Sequence, residues 1–218
     1  MKTSVLKSVV AGWWSMVLTI IPAVAGPVSD TSKSDDAAEV KKILVVGLPD
    51  NVESNYFPVS MIAEETGIPE DSVDYAYNQA VAENIALSNK DKRFCFLPLE
   101  DCQEKEAWMS GIELKGDEEA KYADLSKVDE TVYRQWMAAA GADYVLLLNQ
   151  HYLKWQEKPL RTLFHITSYS LYDKNHREVT RGNHYFTSME LDNRAQIEKD
   201  SRKSSLRIAQ NVVKSLLK

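Results

Sequence analysis

The chain has 218 residues, with 26 Lys and Arg against 32 Asp and Glu, so its formal net charge is −6 at pH 7. An acidic chain without a basic stripe lacks the electrostatic footprint of a protein that binds nucleic acid or anionic lipid surfaces. Hydrophobic residues make up 44% and charged residues 27%, which is typical of a folded globular domain and excludes a largely disordered chain.

The N-terminus carries the pattern of a secretory signal peptide. Lys2 and Lys7 precede an apolar run over 9–21, and the small residues at 23–25 fit a signal-peptidase cleavage site. The alternative is a membrane anchor, but the run is shorter than the ~20 apolar residues that a spanning helix needs. We therefore expect residues 1–25 to be removed and the mature protein to be exported, to the periplasm or out of the cell.

Residues 26–40 are rich in Ser, Asp, Lys and Ala without hydrophobic periodicity, which predicts a flexible leader before a single domain over 41–218. The domain opens with the continuous apolar run Ile43–Leu48, which is typical of a strand buried on both faces. A short helix is predicted over 60–66 and a longer one over 71–88. The buried stripe of the longer helix would consist of Val73, Tyr77, Val81 and Ile85.

A second strand is predicted over 93–99, followed by a long insertion at about 101–127 that has no clear pattern. Long irregular loops are often functional or mobile. Residues 126–141 then predict a helix, because Asp129 can cap its N-terminus and Gly141 can take the left-handed conformation at its end. The apolar face of this helix would consist of Val132, Trp136 and Ala140.

A long hairpin over 142–171 forms the centre of the predicted fold. A third antiparallel strand over 177–191 and a C-terminal helix capped at Asp192 and Asn193 follow it. The predicted element order is β-α-β-α-β-β-β-α. This order indicates a single α/β (α+β) domain, in which helices pack against a mixed five-stranded sheet.

Two cysteines are present, Cys95 and Cys102. In an exported protein they could form a disulfide across the turn at 98–101, provided that their Cα atoms are close enough. The alternative is a buried free thiol at Cys95, between Phe94 and Phe96 in a strand. Neither interpretation indicates redox catalysis, because the sequence has no C-x-x-C motif.

Three histidines fall on the hairpin and the third strand. If the first turn centres on Lys158 and the second on Lys174-Asn175, His165 lies opposite both His151 and His184. Three imidazoles on one face of a sheet could bind zinc or copper. The alternative is an ordinary half-buried sheet face, since no carboxylate is clearly placed to orient the rings. The same face would carry Leu147, Leu153, Leu163 and Phe186.

Residues 60–81 resemble a DNA-binding helix-turn-helix, but the second helix would begin with Glu70, Asp71 and Asp74, where phosphate contacts need Lys or Arg. We therefore expect a helix pair packed on the sheet and no nucleic-acid partner. The motifs G-x-G-x-x-G, H-E-x-x-H and G-x-S-x-G and the P-loop are absent from the sequence, so it predicts no cofactor and no catalytic residue outside the histidine row.

The strand Lys42–Leu48, the segment GADYVL at 141–146 and the strand end LYD at 171–173 give the domain a pattern that resembles the amino-terminal domain of TolB and the CsgG and LpoB envelope proteins. The resemblance covers about residues 41–218. It implies a non-enzymatic interaction or assembly module in the bacterial envelope. The chain departs from this group in the insertion at 101–127 and in having no lipid-attachment cysteine after its apolar run.

Three functions remain open at this point. The first is an exported module that binds another envelope protein through a sheet edge, the hairpin end or the insertion, where Trp155 at the hairpin end could face the partner. The second is a metal-dependent enzyme that uses the histidine row. The third is a small-ligand binding protein with a pocket between the sheet and its helices.

Overall fold

The computed structural model describes residues 39–99 and 107–218. The predicted signal peptide, nearly all of the predicted leader and Cys102 lie outside these residues. The strands are β1 (Lys41–Gly47), β2 (Val52–Ser54), β3 (Phe94–Pro98), β4 (Glu113–Lys115), β5 (Tyr122–Asp124), β6 (Tyr144–Gln156), β7 (Thr162–Asp173) and β8 (Glu178–Ser188). The α-helices are α1 (Val59–Thr66), α2 (Val73–Ser88), α3 (Glu130–Ala140), α4 (Arg194–Asp200) and α5 (Arg202–Leu216), with short 3-10 helices at Glu70–Ser72 and Ala107–Gly111. In the described part of the chain, no helix is both long and apolar enough to cross a membrane.

The main sheet has six strands, in the order β3-β1-β6-β7-β8, with β2 pairing with β6 beyond the end of β1. The pairs β1–β3, β1–β6 and β2–β6 are parallel, whereas β6–β7 and β7–β8 are antiparallel. The mixed sheet, the central hairpin and the single α/β domain are thus confirmed. Strand β2 and the separate two-stranded pair β4–β5 were not expected, because each has only three residues and lies in a region without alternation.

Helices cover both faces of the sheet. On one face, α2 and α5 pack on Ile43, Val45, Leu146, Leu148 and Leu171. On the other face, α3, the second 3-10 helix and the chain around β5 pack on Leu44, Val46, Val145, Leu147 and Tyr172. We call these the α2/α5 face and the α3 face. Strand β1 is therefore buried on both sides, as its continuous apolar run predicts.

The predicted helix signals are confirmed for α2 and in part for α3. All four residues of the predicted α2 stripe are buried. In α3, the Asp129 carboxylate accepts hydrogen bonds from two backbone N–H groups of the first turn, and Gly141 ends the helix with a φ of 59°. The predicted apolar face of α3 is wrong by one residue, because Tyr133 and Met137 are buried while Val132 is 40% exposed.

The C-terminal segment forms two helices where one was predicted. Asn193 caps α4 in a capping box with Gln196, in which each side chain bonds to the backbone N–H of the other residue. The chain then continues through the fully buried Ser201 into α5. Ile208, Ala209 and Val212 form the buried side of α5, as their spacing predicts.

A β-bulge divides β6 at Asn149. Leu148 pairs with Tyr169 and Gln150 pairs with Ser168, so Asn149 is an additional residue on the β6 side. Because side chains alternate between faces along a strand, the additional residue reverses the alternation beyond it. Leu147 consequently lies on the α3 face, not on the face of His151 as predicted.

Candidate functional site

His151 lies in β6 with its ring under α2 and is 2% exposed. Its Nε2 lies 2.9 Å from Oδ1 of Asn78 on α2, and its Nδ1 lies 3.2 Å from Oγ1 of Thr167 on β7. Asn78 also bonds to the Asn51 side chain and donates to the Leu48 carbonyl. The ring is therefore held in a polar network that connects β6, β7, α2 and the chain after β1.

His165 lies in β7 and is also 2% exposed. Its ring stacks on Phe186, with centroids 4.3 Å apart, and on Tyr77, at 6.1 Å. Its Nε2 lies 2.8 Å from the Ser188 hydroxyl and 3.6 Å from Oδ2 of Asp192. The pattern of the sequence carries no signal for the contact with Asp192, because that residue is expected only at the cap of the C-terminal helix.

His151, His165 and His184 share the α2/α5 face, but the predicted pairing is wrong by two residues in both hairpins. His151 and His184 both pair with Thr167, so His165 lies diagonally from each of them. The Nε2 of His184 lies 2.8 Å from Nδ2 of Asn211 on α5. Within residues 39–99 and 107–218, no group of three or more His, Cys, Asp or Glu side chains could hold a metal ion. The three rings thus make separate contacts instead of converging on one centre.

The electrostatics of these groups follow from their burial. Burial lowers the pKa of His151 to about 3, with a smaller contribution from His165, and burial also lowers the pKa of His165 to about 3. Burial raises the pKa of Asp192 to about 6, with additional effects of Asp200 and Glu190. Near neutral pH both imidazoles are therefore uncharged and closed off from solvent, which suits a structural network better than a site that must admit a substrate.

The predicted disulfide cannot be followed in the structure. Cys95 is half-buried in β3, between the buried rings of Phe94 and Phe96. Cys102 lies outside the described residues, so a bond between the two stays a prediction.

A partly exposed aromatic cluster lies at the end of the β6–β7 hairpin, where Phe57 and Trp155 also pack against the core. The centroid of the Trp155 ring lies 6.3 Å from that of Tyr56 and 5.7 Å from that of Phe57. The rings of Tyr56 and Phe57 meet edge to face, with their centroids 5.0 Å apart. Leu160 lies in the loop that closes the same hairpin. Tyr56 is 60% and Leu160 74% exposed. We call Tyr56, Phe57, Trp155 and Leu160 the hairpin-end surface.

Side-chain hydrogen bonds fix the aromatic part of this surface. Asn55 bonds to both backbone groups of Trp155, since its Nδ2 donates to the carbonyl at 3.1 Å and its Oδ1 accepts from the N–H at 2.7 Å. The Ser54 hydroxyl accepts from the N–H groups of Tyr56 and Phe57 and donates to a carbonyl of β6. The backbone that carries the three rings is thus held in position before any partner arrives.

The sequence predicts the hairpin end as a possible contact region but residues 49–58 only as a loop, so it misses Tyr56 and Phe57. A signal is nevertheless present. Ser54-Asn55 is a pair that readily bonds to nearby backbone, and two aromatic residues follow it directly. A local side-chain cap next to two aromatic residues favours a fixed contact surface over a mobile turn.

No protein-family model matches the chain, and no curated protein sequence is significantly similar to it. Among solved structures, a hypothetical protein CT253 from Chlamydia trachomatis is similar at 9% identity and a TM-score of 0.46, over 79% of this chain and 96% of that one. The PelC dodecamer from Paraburkholderia phytofirmans is similar at 10% identity and a TM-score of 0.37, over 78% and 86%. The lipoprotein GNA1162 from Neisseria meningitidis is similar at 12% identity and a TM-score of 0.29, over 81% and 95%.

These structures are bacterial proteins, one of them a lipoprotein, and none is the TolB amino-terminal domain, CsgG or LpoB. The resemblance to the TolB amino-terminal domain, CsgG and LpoB therefore stays a prediction. At these identities and at TM-scores below 0.5, the likeness supports no assignment of role.

Proposed function

We propose that the chain is an exported, non-enzymatic module that binds another envelope protein, and that its hairpin-end surface is the contact site. The observation that carries the proposal is the cluster of Tyr56, Phe57 and Trp155 at the hairpin end, in which Tyr56 is 60% exposed, together with Leu160, which is 74% exposed in the loop that closes the hairpin. Exposed apolar side chains that adjoin one another are typical of interaction surfaces. The signal-peptide pattern over 1–25 supports export.

The chemistry of the surface favours a protein partner with an apolar segment. Buried aromatic anchors contribute much of the binding energy in protein interfaces, and Trp and Tyr are frequent among them. The exposed residues Glu157, Lys158 and Arg161 lie in the adjoining loop and would form a polar rim with both signs of charge. The bonds from Ser54 and Asn55 fix the backbone of Phe57 and Trp155, so little backbone entropy is lost on binding.

The enzyme hypothesis has less support. Its histidines, His151 and His165, are 2% exposed, and their ring nitrogens bond to Asn78, Thr167 and Ser188. A general base must come within hydrogen-bond distance of a substrate proton, and these rings lie under helices and side chains.

The contact site can be tested by photo-crosslinking in the native cell. A photoreactive phenylalanine analogue at Tyr56 or Leu160 should give one discrete adduct, whereas the same group at Leu87, an 82% exposed position on α2, should not. Leu160→Asp should abolish the adduct formed from position 56, and Leu87→Asp should leave it unchanged. Equal adducts from all positions, or an adduct that is insensitive to Leu160→Asp, would contradict the proposed site.

Export needs a separate test. N-terminal sequencing of the protein from fractionated cells should give a chain that begins at Gly26 in the exported fraction. An intact N-terminus that stays in the cytosol would refute the export part of the proposal.

A further inference from the structure

A cleft of about 500 Å³ lies between the end of α2 and one side of α5. Ser88, Asn89, Lys90 and Asp91 form one wall. The floor is a stripe along α5 and the residue that follows it, consisting of Leu206, Ala209, Val213 and Leu217. The stripe is only partly covered, since Leu206 and Val213 are half-buried and Leu217 is 48% exposed. The volume is within the usual range for small-molecule sites, about 300–1,000 Å³.

The rim of the cleft is positively charged, although the chain as a whole is acidic. Lys90, Lys214 and Lys218 line the cleft, and none of the three has a carboxylate partner within residues 39–99 and 107–218. The acidic lining residue is Asp91, whose carboxylate forms an ion pair of 2.7 Å with Arg93. The rim therefore offers amines that are free to bind an anion, beside an apolar floor.

We propose that this cleft binds a single-chain anionic amphiphile, with the acyl chain along the α5 stripe and the anionic head beside Lys90 and Lys214. The floor supplies the burial that an alkyl chain gains on leaving water. The lysines can lay their own alkyl stems along the floor while their amines stay at the rim. The proposal goes beyond the contact of the hairpin-end surface with a partner and does not depend on it.

The anion and the chain can be tested separately by isothermal titration calorimetry on the folded protein. Dodecanoate, kept below its critical micelle concentration, should bind saturably, and dodecyltrimethylammonium, with the same chain and the opposite charge, should not. Octanoate should bind at least about tenfold more weakly than dodecanoate, because each methylene group that leaves water contributes to affinity. Equal binding of the anionic and cationic probes would refute the proposal, and so would binding that does not depend on chain length.

The position can be tested by charge reversal. Lys90→Glu/Lys214→Glu should weaken dodecanoate binding by about tenfold or more, because two attractive charges become repulsive. Lys158→Glu/Arg161→Glu makes the same change in net charge at the far hairpin loop and should leave the affinity unchanged. Equal effects of the two double variants, or none from the first, would refute this site. All four positions are exposed, so the fold should tolerate both variants, which circular dichroism can check.

The same calorimetric titration can distinguish the two kinds of molecule that could supply the anionic head. A free fatty acid and a lysophospholipid both present one chain and one anionic group. Binding of dodecanoate but not of dodecanoyl-lysophosphatidylglycerol would support the free acid, and binding of both would support a lysophospholipid head as well. If neither amphiphile binds, the proposal is wrong.

Discussion

His165 and Asp192 lie side by side in the interior, with Nε2 of the imidazole 3.6 Å from Oδ2 of the carboxylate and side chains only 2% and 4% exposed. The histidine belongs to β7, and the aspartate directly precedes the cap of α4. The contact therefore joins the sheet to the C-terminal helices. Burial lowers the pKa of the histidine to about 3 and raises the pKa of the aspartate to about 6, so on acidification the carboxylate takes up a proton first.

Mild acid should destabilise the fold. His151 and His165 take up protons near pH 6.5 when the chain is unfolded, but their pKa is about 3 in the folded protein. The stability contributed by their neutral forms is thus fully present above about pH 6.5 and is lost as the pH falls towards 3. Asp192 has the opposite effect on stability as the pH falls, because its pKa of about 6 in the folded protein is higher than in the unfolded chain, so its protonation favours the folded state. Between about pH 6 and 4 we expect a net loss of about 1.4 kcal/mol of unfolding free energy per pH unit, measured by urea unfolding.

Two variants separate these contributions. Asp192→Asn removes the opposing proton uptake, so the loss of stability between about pH 6 and 4 should become steeper. His165→Gln removes one of the two histidines that resist protonation, so the loss should become shallower. The comparison uses the slope against pH and not the absolute stability, which either substitution can lower by itself. The same slope in all three proteins would contradict the assignment.

Removing the hydroxyl of Tyr133 should lower the free energy of unfolding, whereas removing that of Tyr77 should not. Both residues are buried, at 1% and 0% exposure. The Tyr133 hydroxyl donates to the Asp173 carbonyl at 2.8 Å, whereas that of Tyr77 has no hydrogen-bond partner among the described residues. Tyr133→Phe should lower the free energy of unfolding by about 1 kcal/mol. Tyr77→Phe should leave it unchanged or raise it by up to about 1 kcal/mol.

Thermal and urea unfolding of the two Phe variants provide the measurement, and each serves as the control for the other, because both lose one buried oxygen. If Tyr77→Phe costs as much as Tyr133→Phe, the Tyr77 hydroxyl must have a partner, and the expectation is wrong.

The sequence predicts the elements of this fold well where they are long and regular. The buried run of β1, the stripe of α2 and the cap of α3 at Asp129 are all where the pattern places them. The sequence determines less clearly which face of α3 is buried, because Val132-Tyr133 and Trp136-Met137 place apolar residues on adjacent positions of the helix. Periodicity alone cannot choose between two such neighbouring stripes. Tertiary packing selects Tyr133, whose ring lies against Trp108 in the insertion.

The contacts of the histidines could not be predicted because they depend on register. The loops at 157–161 and 174–177 shift each pairing by two residues from the assumed centres, which preserves the face of every histidine but changes its partner. The bulge at Asn149 is a second unpredicted event, and it places Leu147 and His151 on different faces. The contact partners themselves also lie on elements distant in sequence from the histidines, since Asn78 contacts His151 from α2 and Asp192 contacts His165 from the segment before α4.

Gly47 should be unable to accept a side chain while Asn78 is present. A Cβ atom at Gly47 would lie 2.1 Å from Cγ of Asn78, which is closer than any van der Waals contact. Gly47→Ala should therefore lower the free energy of unfolding by about 1–3 kcal/mol. The Asn78 amide cannot easily move away, since it bonds to Leu48, Asn51 and His151.

A double-mutant cycle isolates this contact. Asn78→Ala alone should destabilise through the loss of its hydrogen bonds. In Gly47→Ala/Asn78→Ala the clash is absent, so the double variant should be more stable than the sum of the single effects predicts, by about 1 kcal/mol or more. Strict additivity in urea unfolding would show that the close approach of the two residues has no energetic consequence.

Asn149 should hold the β4–β5 pair onto the sheet. The residue is fully buried, and its Nδ2 donates to the Lys121 carbonyl at 3.1 Å and to the Ser170 hydroxyl at 3.0 Å. That hydroxyl in turn accepts the N–H of Ala123 in β5. Asn149→Ala should lower the free energy of unfolding by about 1–3 kcal/mol, because the partly buried Lys121 carbonyl and the buried Ser170 hydroxyl both lose their donor.

The local consequence distinguishes this role from general destabilisation. Amide hydrogen exchange at Ala123 should accelerate in Asn149→Ala by more than exchange at core amides of β1, because β5 loses an anchor that β1 does not use. Asn84→Ala is the matched control, since Asn84 is also buried and its Nδ2 likewise donates to one carbonyl and one serine hydroxyl, those of Glu198 and Ser201, which lie away from β5. It should leave exchange at Ala123 unchanged. Uniform acceleration throughout the sheet in Asn149→Ala would mean that the bulge residue stabilises the whole domain and not the β4–β5 pair in particular.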